Sequence, residues 1–282
     1  MQKLDFVDET LDINLSKTYR LSIQASLNGF SFCVLDPVRN KYVALKYIPL
    51  NETILEEKLE KLENYLAKEE LLQLSYKGSH IQYATNKVTL VPQPYFKTGE
   101  VKNFFQYNQQ LNELDELHYG LHTETSSYII YAVPNLIANI ITKKFEGINF
   151  YSHGHTFLHD IMQHADRVNH SLIHMNIHTD FVDIAITDKK QLLFYNTFTY
   201  QNEEELVFYL LQSMNRFNLE PGKQEIWLSG FIRKRDHLDR EIRSFVPHVK
   251  YRKPSEDYTY SYTFASAPMH WFTNILNHYS CV

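Results

Sequence analysis

Glycine is scarce in this chain: eight residues of 282, under half the usual share of ~7%. Loops that cradle phosphate lean on glycine, because the backbone must come close to the ligand. The shortage therefore counts against a nucleotide-dependent enzyme. Cysteine is nearly absent too. Cys33 and Cys281 are the only two, which argues against a disulfide framework or a cysteine zinc site and suits a reducing compartment. No segment reaches the ~18 uninterrupted apolar residues of a membrane span. The opening MQKLDFVDETLDINL lacks the basic segment and apolar run of a signal peptide. A basic excess is missing as well: a net charge of −5 and a pI of about 6.3 leave no broad field for a phosphate backbone. Neither a G-x-S-x-G elbow, a Walker A loop nor G-x-G-x-x-G occurs. The chain is expected in the cytoplasm, without membrane insertion and without a nucleic acid partner.

What is present is ordinary core material and many rings. Hydrophobic residues make up 44% and charged residues 22%, enough for packed cores. Tyr (20) and Phe (18) supply large rigid surfaces for cores or interfaces. A length of 282 residues exceeds the usual ~100–200 of one domain, so two domains are expected.

The pattern repeats once. YRLSIQASLNGFSFCVLD reads as two strands around the turn dipeptide Asn28-Gly29. KYVALKYIPL supplies a third, and a helix is expected from about Glu52, capped by Asn51, with Leu55, Leu59, Leu62 and Leu66 on one face. In the second half, strands over 172–178, 181–187 and 191–200 precede a helix capped by Asn202, carrying Leu206, Leu210, Met214 and Phe217. A shift of 151 places Asn51 on Asn202, Leu55 on Leu206 and Leu59 on Leu210. Alternating helices and strands follow each meander, so the fold class is α/β with mixed sheets, βββαβαβα in each half. The expected division is an N-terminal domain over 1–168, with extra elements around 78–125, and a C-terminal domain over 169–282. Within the extra material, IQYATNKVTLVP reads as a hairpin. Near the end, YRKPSEDYTYSYTF reads as an extended edge with Tyr258, Tyr260 and Tyr262 on one side, and APMHWFTNILNHYS as a last helix.

The paired meanders, the helix after each, and IWLSG late in the chain resemble the actin-like ATPase superfamily, with its duplicated ribonuclease H-like domains. The chain is most similar in flavour to the type IV pilus and type II secretion actin-like assembly proteins, and to an uncharacterised bacterial family of that fold. The resemblance implies a D-x-G in each meander to position a metal–phosphate group, and an L-S-G-G whose backbone approaches adenosine. Neither is intact. No Asp or Glu stands between Arg20 and Leu35, nor from Ser171 to Thr179, and the last motif reads Leu228-Ser229-Gly230-Phe231. The residues left to line a vestigial cofactor cleft are Ser26, Asn28, Asn176, His178, Asp180, Ser229 and Gly230. The expected function is a non-catalytic binding or scaffold protein with protein partners. No cofactor is expected, while ATP with magnesium stays open.

Three other readings stand beside it. Asp180 and Asp183 serve a nucleotide-dependent kinase or ATPase in the first. In the second, the histidines serve a metal-dependent hydrolase. Seven of the fourteen histidines fall between His153 and His178, and His155 and His159 share a helical face as a candidate metal pair. Surface and interface histidines are the plainer reading of the cluster. A small-ligand sensor using the cleft between the halves is the third.

Overall fold

The computed structural model describes residues 2–281. The chain runs β1 (Leu4–Val7), β2 (Arg20–Ser26), β3 (Gly29–Asp36), β4 (Lys41–Pro49), α1 (Leu55–Lys68), β5 (Gly78–Tyr83), β6 (Val88–Pro92), α2 (Val101–Asn108), β7 (Asp115–His122), β8 (Ser127–Pro134), α3 (Asn135–Lys144), β9 (Phe150–Ser152) and α4 (His153–Ala165). It continues with β10 (Ser171–Ile177), β11 (Phe181–Asp188), β12 (Gln191–Thr199), α5 (Glu203–Arg216), β13 (Glu225–Gly230), α6 (His237–Phe245), β14 (His248–Tyr251), β15 (Thr259–Tyr260) and α7 (Thr273–Asn277).

Two sheets share one strand order. The first runs β1-β4-β3-β2-β5-β9 and the second β12-β11-β10-β13-β14. Leaving β1 aside, each places its strands third, second, first, fourth, fifth. In both, the meander is antiparallel and the last two strands join parallel to the first. This is the duplicated mixed α/β architecture expected. The meanders form where the pattern demands them: β3 and β10 are almost wholly buried and mostly apolar, and such strands need cover on both faces. Helix α4 supplies cover for both sheets, since Phe157, Leu158 and Ile161 share a core with residues of β2, β3 and Ala185 of β11.

Four details differ from the sequence reading. Residues 81–92 are not a hairpin. Strand β5 is held parallel between β2 and β9, so β6 crosses to a separate three-stranded sheet, β6-β8-β7, which packs on α2 through Val91, Phe105 and Ile130. Helix α1 starts at Leu55, and its N-cap is Ile54 with no side-chain bond, so Asn51 caps nothing. Asn202 does cap α5, accepting from Glu205 N at 2.9 Å. The tyrosine run is split. Tyr258 and Tyr260 pack on Tyr42, with the Tyr42 and Tyr260 rings stacked at 5.6 Å, whereas Tyr262 lies in a 3₁₀ turn and is exposed.

The last stretch is not one helix but short turns around α7, and it returns to the first sheet. Strand β15 pairs with β4. The Cys33 thiol donates to the Ile275 carbonyl at 3.6 Å and the Tyr42 hydroxyl to that of Leu276 at 2.5 Å. Cys33, Leu45, Phe264 and Ile275 form their own core there. Among the described residues, no helix is long and apolar enough to cross a membrane.

Candidate functional site

The two meander turns face one another across a cleft. The β2–β3 turn is Leu27–Asn28, one residue earlier than the Asn-Gly dipeptide suggests, and Gly29 already pairs with Ser26. Of the polar side chains of this turn, Ser26 serves the turn itself. Ser26 Oγ donates to the Gly29 carbonyl at 3.1 Å and accepts from Asn28 N at 3.2 Å. Asn28 Oδ1 accepts from Lys58 Nζ at 2.8 Å, so an ammonium group stands at a turn where the resemblance implies an acid. Opposite, β10 turns into β11 through His178, Thr179 and Asp180, with His178 N donating to the Phe181 carbonyl at 2.8 Å. Asp180 is exposed at the rim.

Ser26, Asn28, His178 and Asp180 all line this cleft, together with Tyr47, Tyr83 and Phe231. Its volume is about 40 Å³, whereas small-molecule pockets run to ~300–1,000 Å³. Aromatic rings take up the space. A Cβ on Gly29 would meet Tyr47 Cε2 at 2.8 Å, so the open face of this glycine is covered by a ring. Phe231 sits 5.6 Å from Tyr47, centroid to centroid, and the same distance from Trp271. Gly230, just before it, has φ +80°, and a Cβ there would lie 2.1 Å from the Ile177 carbonyl oxygen. That glycine lets β13 end tightly against β10, with Phe231 N donating to Ile177 O at 2.6 Å.

Asn176 and Ser229 are not in the cleft wall. They lie buried beneath it in a polar knot centred on Asp183. The knot assembles for local reasons. Ser152 caps α4, accepting from Gly154 N at 3.1 Å, which sets His153 in the first turn and aims it at β11. Asn176, His178 and Asp183 come from the paired strands β10 and β11, with Asn176 directly opposite Asp183. Asp183 Oδ1 accepts from Tyr195 OH at 3.0 Å and from His153 Nε2 at 3.1 Å. Its Oδ2 faces His178 Nε2 and Asn176 Nδ2, both at 3.0 Å.

Burial alone would raise the Asp183 carboxyl, but the His153 and His178 contacts outweigh it and hold the group well below the usual carboxylate range. Burial pushes His178 down towards its neutral form against the pull of Asp183. Burial and the adjacent Asp183 push the Tyr195 phenol up, so it remains a donor. Among the described residues, His153, His178 and Asp183 are one of two groups whose three ligand atoms lie within 4.8 Å of one another; the other is Glu203, His237 and Glu241, where His237 is mostly exposed.

His155 and His159 belong to neither group. His159 Nδ1 is 2.5 Å from Glu124 Oε1, and His155 packs edge-on against His122, ring centroids 4.8 Å apart. Missing from the candidates named in the sequence are His153, Tyr47 and Tyr195. Asp183 carried the clearest signal, a lone carboxylate in the strand FVDIAI, because a charge placed among buried apolar residues requires partners. A roomier hollow of about 880 Å³ opens elsewhere, between α4 and β14, lined by Trp227, Tyr251, Arg252 and Lys253 among others. Arg252 is buried in it, paired with Asp160 and lying over the Trp227 ring.

Solved structures are similar to this chain over most of its length. A Bacteroides thetaiotaomicron protein with an actin-like ATPase fold and unknown function matches with a TM-score of 0.76 and 22% identity, covering 86% of this chain and 94% of that one. A chain of the PilM–PilN type IV pilus biogenesis complex matches with a TM-score of 0.61 and 11% identity, covering 92% and 96%. At these identities the likeness establishes the actin-like fold. No curated protein matches the sequence. The model of a protein family of unknown function, DUF3822, matches residues 8–249, and the chain belongs to that family.

Proposed function

We propose that this chain is a non-catalytic binding or assembly protein, in which an actin-like frame of two domains, meeting near residue 168, has given up phosphoryl chemistry and serves protein partners. The narrow cleft carries this reading. A nucleotide needs several hundred Å³, while Tyr47 and Phe231 leave about 40 Å³. Phosphoryl transfer needs metal-bound oxygens and stabilised charge at the phosphates, yet no carboxylate stands on the β2–β3 turn, Asp183 lies buried beneath the cleft and not in its wall, and Asp180 alone offers an acid at the rim. A partner-bound state exists among proteins of this fold, since PilM is found in a complex with PilN. The hollow at α4 and β14, with its rings and cations, is the surface we assign to a partner, since aromatic and arginine side chains are enriched where proteins meet.

Titration calorimetry with ATP and ADP in the presence of Mg²⁺ tests the proposal, alongside phosphate release. The expected result is no saturable heat and no turnover above a blank. Tight binding with turnover would overturn it.

A further inference from the structure

The polar knot under the cleft has an odd count of donors and acceptors. Asn176 Nδ2, His178 Nε2 and Asp183 Oδ2 form a triangle with edges of 2.7, 3.0 and 3.0 Å. Every edge has hydrogen-bond length, and every edge needs one donor and one acceptor. With a proton on His178 Nε2, that nitrogen faces the amide N–H₂ across 2.7 Å, donor against donor. Without it, its lone pair faces the carboxylate across 3.0 Å, acceptor against acceptor. A second mismatch lies just behind. The single hydroxyl proton of Ser229 faces two acceptors, the Met175 carbonyl at 3.3 Å and Asn176 Oδ1 at 3.2 Å.

Turning the Asn176 amide over resolves the second conflict. Nδ2 then donates to Ser229 Oγ, and Ser229 donates to Met175. The same turn brings Oδ1 into the triangle, so an amide oxygen, a carboxylate oxygen and an imidazole nitrogen converge with lone pairs inward. His153 Nε2 stands 3.1 Å from both carboxylate oxygens. Neighbouring ligands on a cation with bonds of ~2.1 Å lie about 3.0 Å apart at right angles and about 3.4 Å apart in a tetrahedron, so the edges here are near those of a six-coordinate ion and would open by a few tenths of an ångström around a tetrahedral one.

We infer that His153, His178, Asp183 and the Asn176 amide oxygen hold one divalent transition-metal ion. Two imidazoles with oxygen donors suit zinc and its neighbours better than magnesium or calcium, which take oxygen shells. The outer contacts fit a ligand set. Tyr195 OH fixes the carboxylate from Oδ1 at 3.0 Å, and Ser229 fixes the amide. Thr85 N donates to His153 Nδ1 at 3.5 Å, a long bond that would have to give way for Nδ1 to carry the proton that ligation through Nε2 requires. His178 lines the cleft, which gives the ion a way in. His153 comes from α4 and the other three ligands from β10, β11 and their turn, so the ion would clamp the helix to the second sheet. The inference does not depend on whether the cleft takes nucleotide.

The test uses the full chain made without a polyhistidine tag, stripped with chelator and reloaded with Zn²⁺ or Co²⁺. Elemental analysis is expected to find one equivalent, the loaded protein to melt higher than the stripped one, and Co²⁺ to give visible ligand-field bands. His178→Ala and His153→Ala are expected to lose the metal and the bands, while the His155→Ala/His159→Ala double variant keeps both. Asp183→Asn strips a buried anion and risks the fold, so His178→Gln, which keeps a polar end without an imidazole, is the conservative partner. Wild type that takes up no metal, or a His153→Ala/His178→Ala double variant that still binds a full equivalent, would overturn the assignment. Nucleotide turnover, which sinks the proposed function, leaves these outcomes untouched.

Discussion

Residue 230 is where the backbone has least freedom of substitution. Its φ of +80° lies in the region L side chains avoid, and a methyl group there would sit 2.1 Å from the Ile177 carbonyl oxygen. Left-handed strain and overpacking each cost about 1–3 kcal/mol. Gly230→Ala is therefore expected to destabilise by roughly 3 kcal/mol or more in urea unfolding, whereas Gly222→Ala, with nothing within 4 Å, is expected to change little. The glycine kept from the L-S-G-G pattern thus has a packing reason to be there, independent of any ligand. Asp183 shows the other side of single-residue reading. Its place in FVDIAI told that it must be partnered, but not by what, because His153 lies 30 residues away and on a helix.

At the scale of elements, the two helices that follow the meanders begin differently. Asn202 accepts from Glu205 N, and Glu205 reaches back to Gln201 N at 2.9 Å, a reciprocal arrangement close to a capping box. Asn51 stands outside α1 and bonds none of its amides. Asn202→Ala is expected to cost ~1 kcal/mol, read as a lowered denaturation midpoint, and Asn51→Ala close to nothing. The meanders themselves were legible because apolar runs bounded by turn residues leave few alternatives. Helix starts were less so: a polar residue near an amphipathic segment is a cap only if the chain enters at the right angle. The apparent hairpin at 81–92 was misread for a related reason. Residues 84–87 look like a turn in sequence, but β2 and β9 already occupy both edges of β5, a fact of sheet topology no local window contains. The cleft was half legible. Its missing carboxylates and glycines, and the ring of Phe231 in place of one glycine, could be read directly, yet the part of Tyr47 could not, since that ring comes from β4 and not from the turn it covers.

The molecule as a whole buries imidazoles where its parts meet. Burial, with His80 and His155 nearby, pushes His278 down to about 3, and Thr156 Oγ1 lies 3.0 Å from its Nδ1. Burial and His155 push His122 down to about 4. Both native groups refuse a proton that the unfolded chain accepts below about 6.5. Stability is thus full above that pH and falls as the pH drops towards 4 and 3, by up to ~1.4 kcal/mol per pH unit for each group. Melting curves are expected to shift down by several degrees between pH 7.5 and pH 5. His278→Gln should flatten that slope, and an unchanged slope would mean that other groups set it.

The return of residues 259–281 to the first sheet has a consequence for biogenesis. While the ribosome is still making the second half, the face of β3 and β4 that carries Cys33, Tyr42 and Leu45 has nothing to cover it. The N-terminal sheet cannot close as a finished unit when its own strands have been made, and its maturation waits for residues 259–281 to emerge. Nascent chains of this protein should therefore hold a sticky β-surface until that segment is made, and chaperone engagement ought to end only then.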